Sequence, residues 1–175
     1  RNLPLRGHKL RPYEGGTRVP LLAKVPGVTA AAAVCPAPVI IEDIFPTLLE
    51  LAGVTWAGRT EQKVDGVSFL PLLKGAGSDP ARPFVWHFPH TYGQTPFSAI
   101  RVGDWKLIHH HVTGKLELFN LANDIGEAKD LSASEPEKTR TLAAELTRLL
   151  KERGALMPVD KTTGKVFAMA DDGGD

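Results

Sequence analysis

The sequence predicts a mixed α/β protein, and patterns in three parts of the chain lead to that prediction. Residues 19–25 form a short run that is apolar on both faces, which is typical of a strand buried inside a sheet. A helical pattern follows at residues 39–54, and strand followed by helix is the α/β order. Alternating segments between residues 97 and 118 and an apolar stripe at residues 142–150 then predict a small antiparallel sheet packed on a C-terminal helix.

The first helix is predicted from its end signals and its spacing. Asp43 can cap the start, and Gly53 lies where a helix would end. Ile44, Leu48 and Leu51 recur at helical spacing, so we expect all three to face a core.

The small sheet is predicted from three segments that alternate between apolar and polar residues. Residues 97–101 and 105–108 flank Val102-Gly103-Asp104, an arrangement typical of a hairpin. Residues 115–118 alternate again with a period of two. Together the segments predict a three-strand antiparallel meander.

The C-terminal helix is predicted to cover one face of this sheet. Ser134 and Glu137 have the spacing of a capping box, and Gly154 lies where the helix would end. The apolar stripe consists of Leu142, Leu146, Leu149 and Leu150.

Composition predicts a soluble globular protein and gives no reason to expect nucleic acid or a membrane as partner. The 175 residues are 42% hydrophobic and 23% charged, with a formal net charge of +1. The chain begins with Arg1 instead of Met, so we expect further residues upstream. Cys35 is the single cysteine, which excludes an internal disulfide.

A glycine-rich, basic segment near the start carries the functional signal. Arg6, Lys9 and Arg18 flank a Gly15-Gly16 turn, and clustered cations beside exposed backbone suit a tetrahedral oxyanion. The alternative is a solvated basic loop in which Glu14 pairs with Arg18. Charged runs are usually solvated faces, so the residues alone favour the loop.

Residues 2–20 also resemble a known signature. The order Pro-Leu-Arg-Gly-x-Lys, then Tyr-Glu-Gly-Gly-x-Arg-Val-Pro, is similar to the second signature of the sulfatases. Later segments resemble the same family in the same order, and the resemblance extends to about Met157. These segments are residues 41–53, 65–73, 86–90, 99–101, 105–108 and 116–131.

The resemblance implies the end of an alkaline-phosphatase-like α/β domain followed by a small antiparallel-sheet domain with a C-terminal helix. Residues 1–78 would close the catalytic domain, residues 79–158 would form the small domain, and residues 159–175 would be a flexible tail. It also implies location in the periplasm or secretion, although the sequence itself indicates no compartment. The missing N-terminal part of the same enzyme would be the partner of this chain.

The resemblance further implies hydrolysis of sulfate monoesters, with sulfated carbohydrates or small molecules as substrates. Such enzymes use a formylglycine nucleophile and a calcium ion, and we expect both to lie outside this chain. Cys35 lacks the Cys-x-Pro-x-Arg pattern, so it is not the formylglycine site. In the family, the calcium ligands are an Asp-Asn pair expected before Arg1 and acidic residues near the formylglycine motif, so the resemblance implies that this segment supplies no metal ligand and is inactive alone. Lys9 matches the sulfate-binding lysine and is the predicted catalytic residue, with His8 beside it as a predicted substrate contact. Tyr13, Glu14 and Arg18 are expected to hold the loop in shape.

Two further histidine groups are candidates for substrate or metal binding. His87 and His90 lie between the predicted domains, where aromatic and imidazole rings suit a sugar face, so we predict substrate contacts. In a strand, His109 and His111 share one face and His110 takes the other, so no metal site is predicted there.

Two other functions remain open from the sequence. A phosphatase, phosphodiesterase or phosphonate hydrolase of the same superfamily would also use a lysine on a tetrahedral anion. A truncated, non-catalytic relative that binds sulfated glycans or a protein partner is the second alternative.

Overall fold

The computed structural model describes residues 2–54, 64–93 and 95–172, which form two compact units. One unit comprises Arg1–Val19 and Ala81–Asp175, and the other comprises Pro20–Pro80. The N-terminal signature therefore folds with the small sheet. The predicted domain boundary of the intact protein at residue 78 stays a prediction, and residues 55–63 and 173–175 lie outside the described residues.

The described residues form four helices and four strands, with a 3₁₀ turn before the second helix. In chain order, these are α1 (Glu14–Thr17), the 3₁₀ turn (Ile41–Asp43), α2 (Ile44–Leu51), α3 (Leu70–Leu73), β1 (Pro83–Phe88), β2 (Phe97–Val102), β3 (Trp105–His110), β4 (Lys115–Asn120) and α4 (Pro136–Glu152).

The sheet is an antiparallel meander in the order β1-β2-β3-β4, which confirms the predicted three strands and adds a fourth. Val102 pairs with Trp105 at the predicted hairpin, where Gly103 has a φ of +57°. That positive φ suits glycine because it has no Cβ to clash. The added strand is β1, whose pairing with β2 runs from Pro83 opposite Val102 to Phe88 opposite Phe97.

One face of the sheet packs against α4. All four predicted stripe leucines are buried there, together with Val85, Ile100, Leu107 and Leu118 from the four strands. The predicted capping box is wrong, because the Ser134 hydroxyl donates to the Leu131 carbonyl and Glu135 is the residue before the helix. Pro136 begins α4, since its fixed φ suits the first helical position and its missing N–H needs no partner.

The opposite face of the sheet carries a second apolar cluster. It consists of Ala99, Ile108, Phe119 and Leu121, with Tyr13, Trp86 and Ile125 packed against it. Tyr13 comes from the N-terminal signature, so this segment and α4 lie on opposite faces of the same sheet.

The described part of the predicted tail is in contact with the sheet unit. Val159 and Val166 form an isolated antiparallel bridge, and Ala170 is buried in the cluster beside α4. The mobility predicted for residues 159–175 stays a prediction.

The second unit corrects two expectations. The predicted strand at residues 19–25 is absent, and Leu22 has 94% of its side-chain surface exposed. A strand requires backbone pairing, and no described residue pairs with this run. Leu48 is 58% exposed, so it faces no core within the described residues.

Polar contacts hold the start of α2 instead. The Asp43 carboxylate accepts the backbone N–H groups of Ile40 (3.0 Å) and Val67 (2.9 Å). The Thr47 hydroxyl donates to the Asp43 carbonyl at 2.7 Å and accepts the Phe69 N–H at 2.9 Å. Asp43 and Thr47 are therefore the buried residues of this segment, while Ile44 and Leu51 are half-buried.

Candidate functional site

His8 and Lys9 lie in an exposed turn of the N-terminal signature. The Arg11 N–H donates to the His8 carbonyl at 3.0 Å, and Leu10 has a φ of +74°. The His8 Nδ1 lies 3.0 Å from the Lys9 carbonyl, so this nitrogen carries the donated proton. The Lys9 ammonium has no hydrogen-bond or ion-pair partner in the described parts of the chain, and it is therefore available to an anion.

This turn rests on the Gly15-Gly16 pair. A Cβ built on Gly16 would collide with the Arg11 carbonyl and lie 2.6 Å from the His8 carbonyl. A Cβ on Gly15 would lie 2.5 Å from the carbonyls of Arg6 and Gly7. The glycines were expected to let backbone approach a ligand, and the structure shows them approached by backbone of the loop itself.

A buried charge cluster attaches α1 to the sheet. The Lys106 ammonium on β3 is fully buried and lies 2.9 Å from Glu14 and 3.1 Å from Glu127. Arg18 and Arg101 lie 3.6 Å and 3.9 Å from the second Glu14 oxygen. The structure thus supports a loop-holding role for Glu14, including the Arg18 pair expected from the sequence.

Glu127 completes this cluster from the segment after β4. Its side chain accepts the backbone N–H of Glu14 at 2.6 Å, and its carbonyl accepts the Arg6 guanidinium at 2.9 Å. Burial raises the pKa of the Glu127 carboxyl, and the nearby Lys106 charge opposes that rise. Burial therefore disfavours ionisation of this carboxyl, whereas Lys106 stabilises its charged form.

Tyr13 connects the signature to a second polar group. Its hydroxyl donates to Glu117 at 2.8 Å, and His110 and Lys115 contact the same carboxylate at 2.7 Å and 3.1 Å. The His110 hydrogen bond is the main cause that lowers the Glu117 pKa to about 2. Arg6 stacks over the Tyr13 ring at 3.8 Å, and both contact the Phe119 side of the sheet, whereas Lys9 is exposed.

His87 takes part in an internal network on the α4 side of the sheet. Its Nε2 lies 3.0 Å from the Leu156 carbonyl, and its Nδ1 lies 2.7 Å from the hydroxyl of buried Ser98. The same hydroxyl lies 2.8 Å from His111 Nε2, and the His109 and His111 rings are 4.6 Å apart. Both nitrogens of His87 thus have protein partners.

The predicted alternation of the histidines after Ile108 agrees with the structure. Burial lowers the pKa of His109 and His111 to about 4, with neighbouring imidazoles as a further cause. Both rings are therefore neutral near pH 7. Among residues 2–54, 64–93 and 95–172, no group of three or more His, Cys, Asp or Glu residues could hold a metal ion.

His90 lies in the exposed loop after β1, on the way to β2. Its ring is 5.6 Å from Phe88, and a Cβ at Gly93 of the same loop would lie 3.3 Å from a Leu10 methyl carbon. The loop carrying His90 therefore passes beside the turn carrying His8 and Lys9. The structure brings these segments together, whereas His87 faces the other side of the sheet.

Sequence reasoning missed Lys106 and Glu127. The position of Lys106 on a sheet face could have been read from the sequence, because the strand period of two places it on the same face as Ile108 and His110. Glu127 lies in an irregular segment 113 residues from its hydrogen-bond partner Glu14, and no local pattern reports such a contact.

Known proteins are similar to this chain over most of its length. The family model described as N-sulphoglucosamine sulphohydrolase, C-terminal, matches residues 8–155. The chain belongs to the sulfatase family, in its C-terminal portion. A sulfatase of Formosa agariphila is 36% identical over 161 residues, which cover 86% of this chain and 29% of that protein. A Delta 4,5-hexuronate-2-O-sulfatase of Bacteroides thetaiotaomicron is 32% identical over 104 residues, covering 58% of this chain and 21% of that protein.

Solved structures of similar fold include two complexes with sugars. Ps i-CgsB with k-i-k-neocarrahexaose has a TM-score of 0.73 at 30% identity, covering 85% of this chain and 32% of that one. BT4656 with its substrate D-glucosamine-2-N,6-O-disulfate has a TM-score of 0.54 at 25% identity, covering 66% and 24%. The mixed α/β fold and the sulfatase resemblance are thereby confirmed. The chain spans under a third of the length of these relatives.

The helices of the described residues are too short or too polar to cross a bilayer.

Proposed function

We propose that this chain is the C-terminal part of an enzyme that hydrolyses sulfate monoesters, with Lys9 contacting the sulfate group. The observation that carries the proposal is the exposed Lys9 ammonium, which lacks a partner among the described residues and lies on a turn packed against α1. A compact ammonium suits one oxygen of a tetrahedral anion. Placed in advance, it stabilises charge that develops on the sulfate oxygens as the ester bond breaks.

The family resemblance adds a formylglycine nucleophile and a calcium ion to the proposal. The described residues of this chain do not fit a calcium site, since no suitable cluster of ligands occurs among them. On the strength of the resemblance, we propose that the metal ligands and the nucleophile lie upstream of this chain. Its own residues would bind and orient the sulfate.

We further propose a carbohydrate sulfate as substrate. The hexuronate sulfatase and the glucosamine-disulfate complex among the relatives support this class. His8 and His90 are proposed to contact the sugar, because both are exposed and their loops adjoin at Leu10. His87 lies on the α4 side of the sheet, so a sugar contact there would be separate from His8 and His90 and would replace its Leu156 carbonyl partner.

The test is a Lys9→Ala variant of the full-length enzyme that the proposal implies. We expect kcat/KM for a sulfated sugar to fall about 10²–10³-fold, the usual loss for one oxyanion-stabilising group. The melting temperature should hardly change, because the Lys9 side chain is exposed. Lys129→Ala, another exposed lysine, is the matched control.

The same assay separates the alternatives. Unchanged hydrolysis by Lys9→Ala would remove this lysine from the mechanism. Faster wild-type turnover of a phosphate monoester or diester than of any sulfate ester would favour the phosphatase alternative. Binding of sulfated glycan without turnover would favour the non-catalytic alternative. The isolated 175-residue chain should release no sulfate.

A further inference from the structure

The turn carrying Lys9 packs on α1 through backbone atoms. The carbonyls of His8 and Arg11, on either side of Lys9, approach Gly16 so closely that a Cβ there would lie 2.6 Å from the His8 oxygen. Real Cβ atoms essentially never come that close to another heavy atom. The position of the Lys9 backbone is therefore coupled to the position of α1.

The helix α1 is itself held by its first residue. The Glu14 carboxylate accepts a hydrogen bond from the Lys106 ammonium at 2.9 Å, and the Glu14 backbone N–H donates to Glu127 at 2.6 Å. Glu14 and Lys106 are both buried, so water does not compete for these contacts. An unbroken series of contacts thus runs from β3 through Glu14 and Gly16 to the turn carrying Lys9.

We propose that Glu14 and Lys106 are positioning residues for Lys9. The inference rests on the proposed function, because the placement of Lys9 affects turnover only if Lys9 contacts the sulfate. Neither buried residue would touch substrate. Their ion pair keeps α1 fixed on the sheet, and α1 determines where the Lys9 ammonium lies relative to the sulfate oxygens.

The first test is a double-mutant cycle between Gly16→Ala and Lys9→Ala in the full-length enzyme. An added methyl group at Gly16 must displace the turn, and a displacement near 1 Å can cost about 10²-fold in rate. We expect Gly16→Ala to lower kcat/KM about 10²-fold, mainly through kcat. In the Lys9→Ala background, we expect the same substitution to have almost no further effect.

The matched control is Gly77→Ala, because a Cβ at Gly77 meets nothing within 4 Å. It should leave kcat and KM unchanged in both backgrounds. Thermal melting of each variant checks that the fold survives.

A second double-mutant cycle combines Glu14→Gln with Lys9→Ala. Glu14→Gln keeps the shape of the side chain and removes its charge, so this cycle tests the positioning proposal even if Gly16→Ala does not fold. We expect the loss of kcat caused by Glu14→Gln to disappear in the Lys9→Ala background as well. Additive losses in both cycles would show that α1 affects activity without acting through Lys9, and would overturn the inference. If Lys9→Ala alone has no effect, the proposed role of Lys9 fails and the positioning proposal fails with it. The two failures are thus distinguishable.

Discussion

Replacing Lys106 by Met should destabilise the sheet unit more than substitution of any exposed lysine. Methionine keeps an apolar side chain of similar length and removes only the ammonium group. That ammonium is fully buried and lies within 3.1 Å of both Glu14 and Glu127. Its removal leaves two buried carboxylates without their shared cation, and Glu14 keeps only Arg18 at 3.6 Å and Arg101 at 3.9 Å.

Breaking a buried ion pair by removing one partner typically costs about 3–5 kcal/mol. For a chain of 175 residues, this loss corresponds to a fall in melting temperature of about 6–20 °C. The loss should shrink as the pH is lowered, because the stranded Glu127 carboxylate can then take up a proton. Burial already raises the pKa of Glu127 in the native protein, so it should protonate readily in the variant.

The assay is urea denaturation at pH 7 and pH 5, followed by circular dichroism. Lys129→Met is the control, since an exposed lysine without such contacts should change stability by no more than about 0.5 kcal/mol. A triple variant that adds Glu14→Gln and Glu127→Gln should recover much of the loss, because it removes both stranded charges. If Lys106→Met is no less stable than Lys129→Met at pH 7, the reasoning about the buried cluster is wrong.

Three further outcomes are expected. His109 and His111 have pKa values of about 4 in the fold against 6.5 when free, so their contribution to stability is full above pH 6.5 and falls as the pH drops toward 4. The free energy of unfolding should fall by up to about 1.4 kcal/mol per pKa unit for each group. A urea-denaturation profile that stays flat over this pH range would contradict the burial argument. The pKa of Glu117 is about 2 against 4.5 when free, so Glu117→Gln should abolish a separate loss of stability between pH 4.5 and 2, measured in the same way. Trp105→Ala should cost less than the roughly 3–5 kcal/mol of a fully buried tryptophan, because the ring is only half-buried at the edge of the core; a larger fall in calorimetric stability would contradict that placement.

Local periodicity was sufficient to predict most of the small sheet unit. The alternation of residues 97–118 predicts strands that pair with their neighbours in the chain, and the leucine stripe predicts one apolar face of α4. Both predictions are confirmed. The strand β1 is absent from the sequence prediction, which places His87 and His90 between the predicted domains. The run at residues 19–25 was wrongly predicted as a strand, since hydrophobicity alone does not supply a pairing partner.

The candidate site was predictable only in part. The motif identified Lys9, and its glycines indicated a close approach of backbone. Nothing local indicated that Glu14 would meet Lys106, 92 residues away. An interpretation of Glu14 as a surface partner of Arg18 was therefore correct about the pair and incomplete about the burial.

The two faces of the sheet separate two kinds of polar chemistry. On the α4 side, the Ser98 hydroxyl lies within hydrogen-bond distance of both His87 and His111, and His87 also contacts the Leu156 carbonyl, which suits a network that stabilises packing. On the opposite face, Lys106 is an unusual occupant of a strand interior, because a buried ammonium is costly unless it is paired. Lys106 is paired with Glu14, the first residue of α1, so the ion pair fixes α1 on the sheet. Through Gly16, α1 in turn fixes the turn that carries Lys9. Hydrophobic residues in place of Lys106, Glu14 and Glu127 together would give an equally stable sheet, but they would not select one position for the signature loop.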